Sequence, residues 1–185
     1  SEAARQARVW QQSFGFADSI AVNLPSRLFE RSDLIDHIHQ VVTAHGVPHR
    51  VIMLEITEDN LMKDLQNVIP ALHRLNEIGV EIAIDDFGTG YSSLTHLKHF
   101  PIDTLKIDIS FIADLETDPG DAAITEAIIG LARGLGLKVV AEGVGTREQL
   151  EFLDARGCHC FQGFWVSKPL PPARFVEFLR TRTTQ

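Results

Sequence analysis

The segment Ala83-Ile84-Asp85-Asp86-Phe87-Gly88-Thr89-Gly90 places two adjacent acidic residues directly after a hydrophobic run. That run, residues 80–84, has the composition of a buried strand. Two carboxylates at the exit of a buried strand are costly unless a cation or solvent meets them. The Gly-Thr-Gly that follows lets the backbone turn sharply beside the acids. The segment therefore predicts a strand that ends at a cation-binding loop.

The same order, a short hydrophobic strand followed by a helix, recurs along the chain. A helix over residues 2–14 precedes the first strand, and helical patterns follow the later strands. Alternation of this kind predicts a parallel sheet with right-handed crossovers. The six predicted strands cover residues 20–24, 51–56, 80–84, 104–107, 138–141 and 160–161.

Two α/β architectures fit this alternation, a doubly wound open sheet and a (β/α)8 barrel. An open sheet concentrates its site at one switch point, whereas a barrel draws on most of its strand ends. Polar residues end all the predicted strands, so we predict an α/β fold of the TIM-like barrel type. A full barrel has about 250 residues. We therefore expect residues 1–185 to form a single domain of about six βα units, incomplete at its N-terminus.

Composition excludes several classes of protein. Hydrophobic residues make up 44% of the chain and charged residues 23%, which is typical of a globular protein. The net charge of −8 argues against a partner that is a nucleic-acid polymer, although a small phosphate ligand stays possible because metal ions invert the local charge. No apolar stretch approaches the roughly 20 residues of a membrane span, and the start lacks a signal-peptide pattern. We expect a cytoplasmic domain without membrane contact.

The two cysteines, Cys158 and Cys160, flank one histidine and have no second pair of ligands nearby. A zinc site is therefore disfavoured relative to small buried thiols in a reducing compartment.

The polar residues at the strand ends suit metal-assisted chemistry. Carboxylate and amide oxygens favour Mg²⁺ or Mn²⁺ over zinc, and adjacent aspartates can bridge two ions about 3.5–4 Å apart. An amine can contact a phosphate oxygen or orient a water molecule, and a free glutamate can act as a general base. We assign Lys106 and Glu142 to those two roles. The full set at the strand ends is Asn23, Glu55, Asp85, Asp86, Lys106, Asp108, Glu142 and Gln162.

Each of these residues also has a structural interpretation. Asn23 suits a turn, Asp108 suits a loop cap, and Glu55 with Glu58 suits a helix start. Their joint occurrence carries the prediction of a site. Two shorter matches are weak: Asp86-Phe87-Gly88 resembles a kinase tripeptide without the His-Arg-Asp loop, and the glycines at 88 and 90 lack the third glycine of a dinucleotide loop.

The motifs resemble, in order and over almost the whole chain, those of the EAL domain, the cyclic-di-GMP phosphodiesterase family of bacterial signalling. The matching segments are Val22-Asn23-Leu24, Leu54-Glu55-Ile56-Thr57-Glu58, residues 85–94, Leu105-Lys106-Ile107-Asp108, Ala141-Glu142-Gly143-Val144, Gln162-Gly163-Phe164 and Lys168-Pro169-Leu170.

The resemblance implies a barrel that hydrolyses one phosphodiester of cyclic di-GMP to linear pGpG with Mg²⁺ or Mn²⁺. It implies catalytic roles for Lys106 and Glu142, which would serve the attacking water, and for Glu58, which would steady the following loop. It also implies a homodimer through the loop region 85–90, and sensory or GGDEF domains in the parent protein. Gln162 and Asp108 would bind substrate, and the implied metal ligands are Asn23, Glu55, Asp85 and Asp86.

Two departures from the family pattern leave an alternative open. The Glu-Ala-Leu motif that names the family is absent, so we expect the strands that carry it to lie outside this chain. Gly145 stands where the family usually has a second glutamate. The alternative is a degenerate EAL domain that binds cyclic di-GMP or dimerises without hydrolysis, and whether this chain is an enzyme stays open at this point.

Overall fold

The sheet consists of six parallel strands whose spatial order follows their order in the chain. The computed structural model describes residues 2–15, 18–90 and 97–182. Each strand pairs in parallel with the next one. An order without reversal has no switch point, which excludes the doubly wound sheet and confirms the predicted α/β fold of the incomplete barrel type. The strands are β1 Ile20–Asn23, β2 Ile52–Thr57, β3 Glu81–Phe87, β4 Thr104–Ile107, β5 Lys138–Glu142 and β6 Cys160–Gln162.

Described helices connect each strand to the next, as the alternation predicts, except between β3 and β4, where residues 91–96 lie outside the described residues. Short 3₁₀ turns at Ser26–Leu28 and His49–Val51 add to them. The predicted helix over 92–99 lies for the most part outside the described residues. The described helices are α1 Glu2–Phe14, α2 Leu34–His45, α3 Glu58–Lys63, α4 Leu65–Glu77, α5 Ile109–Ala113, α6 Pro119–Leu135, α7 Arg147–Ala155 and α8 Pro172–Arg182.

The two faces of the sheet have different chemistry. Successive strand residues point to opposite faces, and paired residues share a face. On the outer face, Ile82, Leu105 and Ile107 are fully buried in one hydrophobic core with the helices. Burying one such side chain contributes about 1.5–3 kcal/mol. The inner face carries polar groups near the carboxyl ends of the strands. Asn23 of β1 pairs with Glu55 of β2, so both side chains lie on this face.

β3 is longer and less regular than predicted. The prediction ends the strand at Ile84, whereas the observed strand continues through both aspartates to the buried Phe87. Its register with β4 shifts between Ile84 and Phe87, and Asp86 has a φ of 54°. Aspartate enters this left-handed region more readily than most residues. The irregularity of β3 therefore redirects the two aspartates at the end of the strand.

The helical pattern between β2 and β3, predicted as one helix with a cap at Thr57 or Asp59 and Gly79 after its end, forms two helices. The chain breaks at Asp64, whose φ of −147° and ψ of 61° are not helical. The Asp64 side chain accepts a hydrogen bond from the Asn67 amide at 2.8 Å, and its carbonyl accepts from the backbone N–H of Val68. Aspartate competes in this way with the helical backbone, which favours a helix end over a helix interior. Thr57 lies at the N-cap of α3 but makes no side-chain cap bond.

The cysteines fit the prediction only in part. Cys158 is buried, and burial raises the pKa of its thiol to about 11. Cys160 is exposed, so the prediction of two buried thiols is wrong for this residue. It begins β6 and shares the open inner face with Val140. Within the described ranges, no helix is long and apolar enough to cross a membrane.

The environment of His49, partly buried and next to His39, predicts that stability depends on pH. His39 Nδ1 and His49 Nε2 are 2.9 Å apart. Burial, and then the charge of His39, lower the pKa of His49 below its usual 6.5. The unfolded chain therefore takes up this proton at a higher pH than the folded chain. Stability is lost as the pH falls through about 6.5, until the lower folded pKa is passed.

When the pH is lowered from about 7.5 to about 5, we expect the free energy of unfolding to fall less in His49→Gln than in the unsubstituted chain. Urea unfolding at each pH measures this. His73→Gln, on the exposed side of α4, is the matched control and should leave the pH dependence unchanged. Equal pH dependence in all three proteins would contradict the assignment to His49.

Candidate functional site

The predicted site residues gather at the carboxyl edge of the sheet. Parallel strands end at the same edge, so residues that end different strands become neighbours. Glu55 lies two residues before the end of β2, opposite Ala83 of β3, and Glu142 ends β5 opposite Gln162 of β6. Lys106 lies on β4, between the acids of β3 and β5.

Lys106 is the centre of this group. Its ammonium nitrogen lies 2.5 Å from Glu55 Oε1, 2.8 Å from Asp85 Oδ1 and 2.7 Å from Glu142 Oε1. Only 6% of its side chain is exposed. Burial alone would lower the pKa of Lys106, but the three carboxylates outweigh burial and raise it above its usual value. Lys106 is therefore an ammonium ion throughout the physiological pH range.

The carboxylates exceed the positive charge that Lys106 supplies. Oxygens of Asp85, Asp86 and Glu142 lie within 4.8 Å of one another. Burial, and then the charges of Asp85 and Asp108, raise the pKa of Asp86. Burial also raises the pKa of Glu142, although Lys106 opposes it. A further cation would relieve this repulsion. All the donors are oxygens, so the group fits a divalent ion such as Mg²⁺ or Mn²⁺.

The other predicted polar residues lie around this carboxylate group in different environments. Asn23 is exposed at the end of β1, and Gln162 is exposed at the end of β6. Asp108 caps α5, accepting hydrogen bonds from the backbone N–H of Ser110 at 2.9 Å and from its hydroxyl. Burial would raise the pKa of Asp108, but these hydrogen bonds lower it. The cap, which the sequence left as an alternative for Asp108, is thus present.

Glu58 lies beneath the loop after β3 rather than beside Lys106. Its side chain is buried, and Oε2 accepts a hydrogen bond from the backbone N–H of Gly88 at 2.8 Å. A side chain at Gly90 would collide with it, because a Cβ there would lie 2.8 Å from Glu58 Oε1. Thr89 closes the same turn by donating its hydroxyl to the carbonyl of Asp86. Glu58 is therefore placed to position the loop, not to contact a reacting group.

A cavity of about 560 Å³ adjoins Glu142 and Gln162. Its walls are largely apolar and include Ile109, Phe164 and Pro169. Phe164 is 69% exposed, and the ammonium of Lys168 lies 5.7 Å from its ring centre. No role for Ile109 or Phe164 is predicted from the sequence. Ile109 comes one residue after the predicted strand end at Asp108, and Phe164 belongs to a segment that matches the family, but neither position indicates a cavity.

Three glycines shape the cavity for different reasons. Gly143 has a φ of 74°, and a Cβ there would lie within 2.5 Å of the Ile109 side chain. A Cβ at Gly163 would meet the backbone of Val144 at about the same distance. Gly145 has no such constraint, because its nearest neighbours would lie 3.8–3.9 Å from a Cβ. The structure therefore requires glycine at 143 and 163 but not at 145.

The EAL domain family model matches residues 1–169. The chain belongs to the EAL domain family. The signalling protein YkoW of Bacillus subtilis is 42% identical over 184 residues, which is all of this chain and 23% of YkoW. MucR of Pseudomonas aeruginosa, a bifunctional diguanylate cyclase and cyclic-di-GMP phosphodiesterase, is 46% identical over 95% of this chain and 26% of MucR. This EAL chain thus spans about a quarter of these curated relatives.

Solved structures of EAL proteins share the fold. A cyclic-di-GMP complex of the PaMucR phosphodiesterase superposes with a TM-score of 0.90 at 44% identity, over 94% of this chain and 70% of that one. A manganese and cyclic-di-GMP complex of Klebsiella pneumoniae BlrP1 superposes with a TM-score of 0.81 at 32% identity, over 91% and 43% of the two chains. These likenesses confirm the predicted family and barrel type.

Removing the Lys106 ammonium should destabilise the metal-free EAL chain. We expect Lys106→Met to lower the free energy of unfolding at neutral pH by about 3–5 kcal/mol, because buried carboxylates lose their partner. Added Mg²⁺ should restore more stability to this variant than to the unsubstituted chain, since it replaces the missing charge. Urea titrations with and without Mg²⁺ measure both effects.

Lys138→Met is the matched control for this substitution. Lys138 pairs with Glu81 at 3.6 Å, but 63% of its side chain is exposed. We expect a loss below about 1 kcal/mol with no response to Mg²⁺. Equal losses for the two lysine variants would contradict a central role for Lys106.

Proposed function

We propose that this EAL domain hydrolyses one phosphodiester bond of cyclic di-GMP to give linear pGpG. The observation that carries the proposal is the buried Lys106 ammonium, held by three carboxylates beside a mostly apolar cavity. A cation-binding carboxylate group suits a phosphate, and a neighbouring apolar cavity suits a purine base. The relatives named as cyclic-di-GMP phosphodiesterases support this choice of substrate.

Each residue at the strand ends has a proposed part in this reaction. Glu142 accepts a proton from the attacking water, since its raised pKa makes it a better base than an exposed glutamate. Lys106 orients that water or contacts a phosphate oxygen. A divalent cation, when bound, stabilises negative charge on the phosphoryl oxygens. The proposed ligands are Asn23, Glu55, Asp85 and Asp86, with Glu142 available because its oxygen lies among those of the two aspartates.

The cavity beside Glu142 is the proposed place for one base of the dinucleotide. Phe164 offers an exposed aromatic face for stacking, and Lys168 is near enough to add a positive charge at the rim. Gln162 lines the cavity and would supply hydrogen bonds to the ligand. Asp108 is the weaker substrate contact, because hydrogen bonds within α5 already engage its carboxylate.

Several wider features are also proposals. The metal is Mg²⁺ or Mn²⁺, supported by the manganese complex of BlrP1. Residues 1–185 are one EAL-type domain without the strands of the Glu-Ala-Leu motif. It dimerises through the loop region 85–90 and works in the cytoplasm beside sensory or GGDEF domains, as the two activities in the name of MucR suggest.

A second candidate function is binding of cyclic di-GMP without hydrolysis. The observation that favours it is Gly145, which leaves the cavity without the carboxylate usual in the family. The acids around Lys106 favour the enzyme, because a purely binding domain has no need of a repulsive, metal-fitting group.

Asp85→Asn tests hydrolysis with little change of shape. We expect the domain, or a form extended at its amino end, to convert cyclic di-GMP to pGpG with Mn²⁺, and the variant to lose at least about a hundredfold in rate. Chromatography of the products measures this. Asp59→Asn, on the exposed side of α3, is the control and should keep full activity. Tight binding of cyclic di-GMP without turnover, by the domain and by its extended form, would establish the second candidate function instead.

Gly145→Glu tests whether the missing carboxylate decides activity. The structure admits the side chain, so we expect an unchanged melting temperature. If the acids around Lys106 suffice for hydrolysis, the rate of cyclic di-GMP turnover should change by less than about threefold. In activation free energy this is under half of the roughly 1.4 kcal/mol that corresponds to a tenfold change in rate. Turnover that appears only in Gly145→Glu would show that the natural chain is a binding domain.

A further inference from the structure

The side chain of Gln149 connects two loops of the candidate site. It is 95% buried and lies in the first turn of α7. Its Oε1 accepts hydrogen bonds from the backbone N–H groups of Gly145 at 2.8 Å and Thr146 at 3.1 Å. Its Nε2 donates to the carbonyl of Ile112 at 2.8 Å, with a longer contact to that of Ala113 at 3.4 Å. Gln149 thus bridges the turn after β5 and the end of α5.

A helix cap accounts for only half of these bonds. Thr146 and Gln149 form a capping box, in which glutamate and glutamine serve equally because only an acceptor is required. The bonds to Ile112 and Ala113 need a donor, which a carboxylate lacks. The cap therefore does not require the amide nitrogen of Gln149, which donates to the carbonyls of α5.

The two bridged loops form one wall of the cavity. Gly143 and Gly145 belong to the turn after β5, and Ile109 begins α5. Gly143 packs so closely on Ile109 that no side chain fits between them. The distance between α5 and the turn therefore sets the shape of the wall. Among the described residues, the side chain of Gln149 is hydrogen-bonded to both α5 and the turn.

A second contact holds the same turn from the other side. Val144 donates its N–H to the carbonyl of Gln162 and accepts from the N–H of Trp165. Among the described residues, the turn after β5 is thus hydrogen-bonded to the β6 loop by the backbone and to α5 by the side chain of Gln149, while the Thr146 hydroxyl donates to Glu116, beyond the end of α5, at 2.8 Å. Loss of Gln149 would remove the hydrogen bonds between the turn and α5 and leave the other two attachments in place.

We propose that Gln149 is a positioning residue for the ligand cavity, which it shapes by clamping the turn after β5 to the carbonyl end of α5. The inference rests on the proposed function for the identity of the ligand, cyclic di-GMP. Gln149 acts through Ile109, Gly143 and Gly145 and does not itself line the cavity.

Gln149→Glu separates the clamp from the cap. The variant keeps the acceptor for Gly145 and Thr146 but turns a carboxylate toward the carbonyls of α5. Gln149→Met removes all the side-chain bonds at similar volume. Leu153→Val, in the buried face of the same helix, is the control for loss of stability alone. Two quantities are measured on each folded protein: the dissociation constant of cyclic di-GMP with Ca²⁺, and hydrogen exchange at Gly145 and Thr146.

If Gln149 is a clamp, both of its variants weaken binding about tenfold, because the buried carbonyls of Ile112 and Ala113 lose their donor in each. Exchange at the two amides becomes faster in both, and Leu153→Val changes neither quantity. If Gln149 is only a cap, Gln149→Glu binds and exchanges like the unsubstituted chain, and the inference is wrong. Equal weakening in Leu153→Val would overturn it as well.

A wrong choice of ligand in the proposed function would give a different result. If cyclic di-GMP is not the ligand, the unsubstituted chain binds none, whatever residue stands at 149, whereas binding without hydrolysis leaves this test unchanged. Hydrogen exchange at Gly145 and Thr146 would still test whether Gln149 holds the turn against α5. Faster exchange in both Gln149 variants supports the clamp, and faster exchange in Gln149→Met alone refutes it.

Discussion

One buried ammonium group among carboxylates is the constraint on which the carboxyl edge of this sheet depends. Without Lys106, the acids near the carboxyl ends of β2, β3 and β5 would repel one another at close range in a poorly solvated position. The lysine holds them together and still leaves an excess of negative charge. A divalent ion that binds there must share these oxygens with Lys106, so the preference for cations is built into the folded chain.

The division between the two faces of the sheet offsets the repulsion among these acids. The aliphatic outer face packs against the helices, and its burial stabilises the fold, whereas the group of like charges destabilises it. The inner face is left to polar residues. Loops above it are held by few but specific contacts: Glu58 under the Gly88 turn, and Val144 and Gln149 on either side of the turn after β5.

The strand ends could be predicted from the sequence because their signal is local. A hydrophobic run followed by an acid, an amide or an amine marks the end of a parallel strand, and parallel strands bring such ends together. The family and the barrel type followed from the same segments. Thr146 could likewise be recognised as a helix cap, since its pattern lies within four residues.

The remaining features depend on partners that are distant in the chain. The extension of β3 through Asp86 depends on a shift of register against β4, which no local pattern of β3 encodes. The roles of Ile109 and Phe164 depend on exposure at a cavity, whereas hydropathy alone predicts burial for both. The bond between Gln149 and α5 has no local signal in the sequence, because the Ile112 carbonyl that Gln149 contacts lies 37 residues away.

The freedom at Gly145 has a practical consequence. A position at the rim of a ligand cavity that tolerates a side chain, with ordinary backbone conformation, is suited to carrying a reporter. A cysteine introduced there would hold a fluorophore or a spin label beside the cavity, once the exposed Cys160 is replaced by serine. Gly143 and Gly163, only a few residues away, offer no such attachment point, because their close contacts leave no room for one further carbon atom.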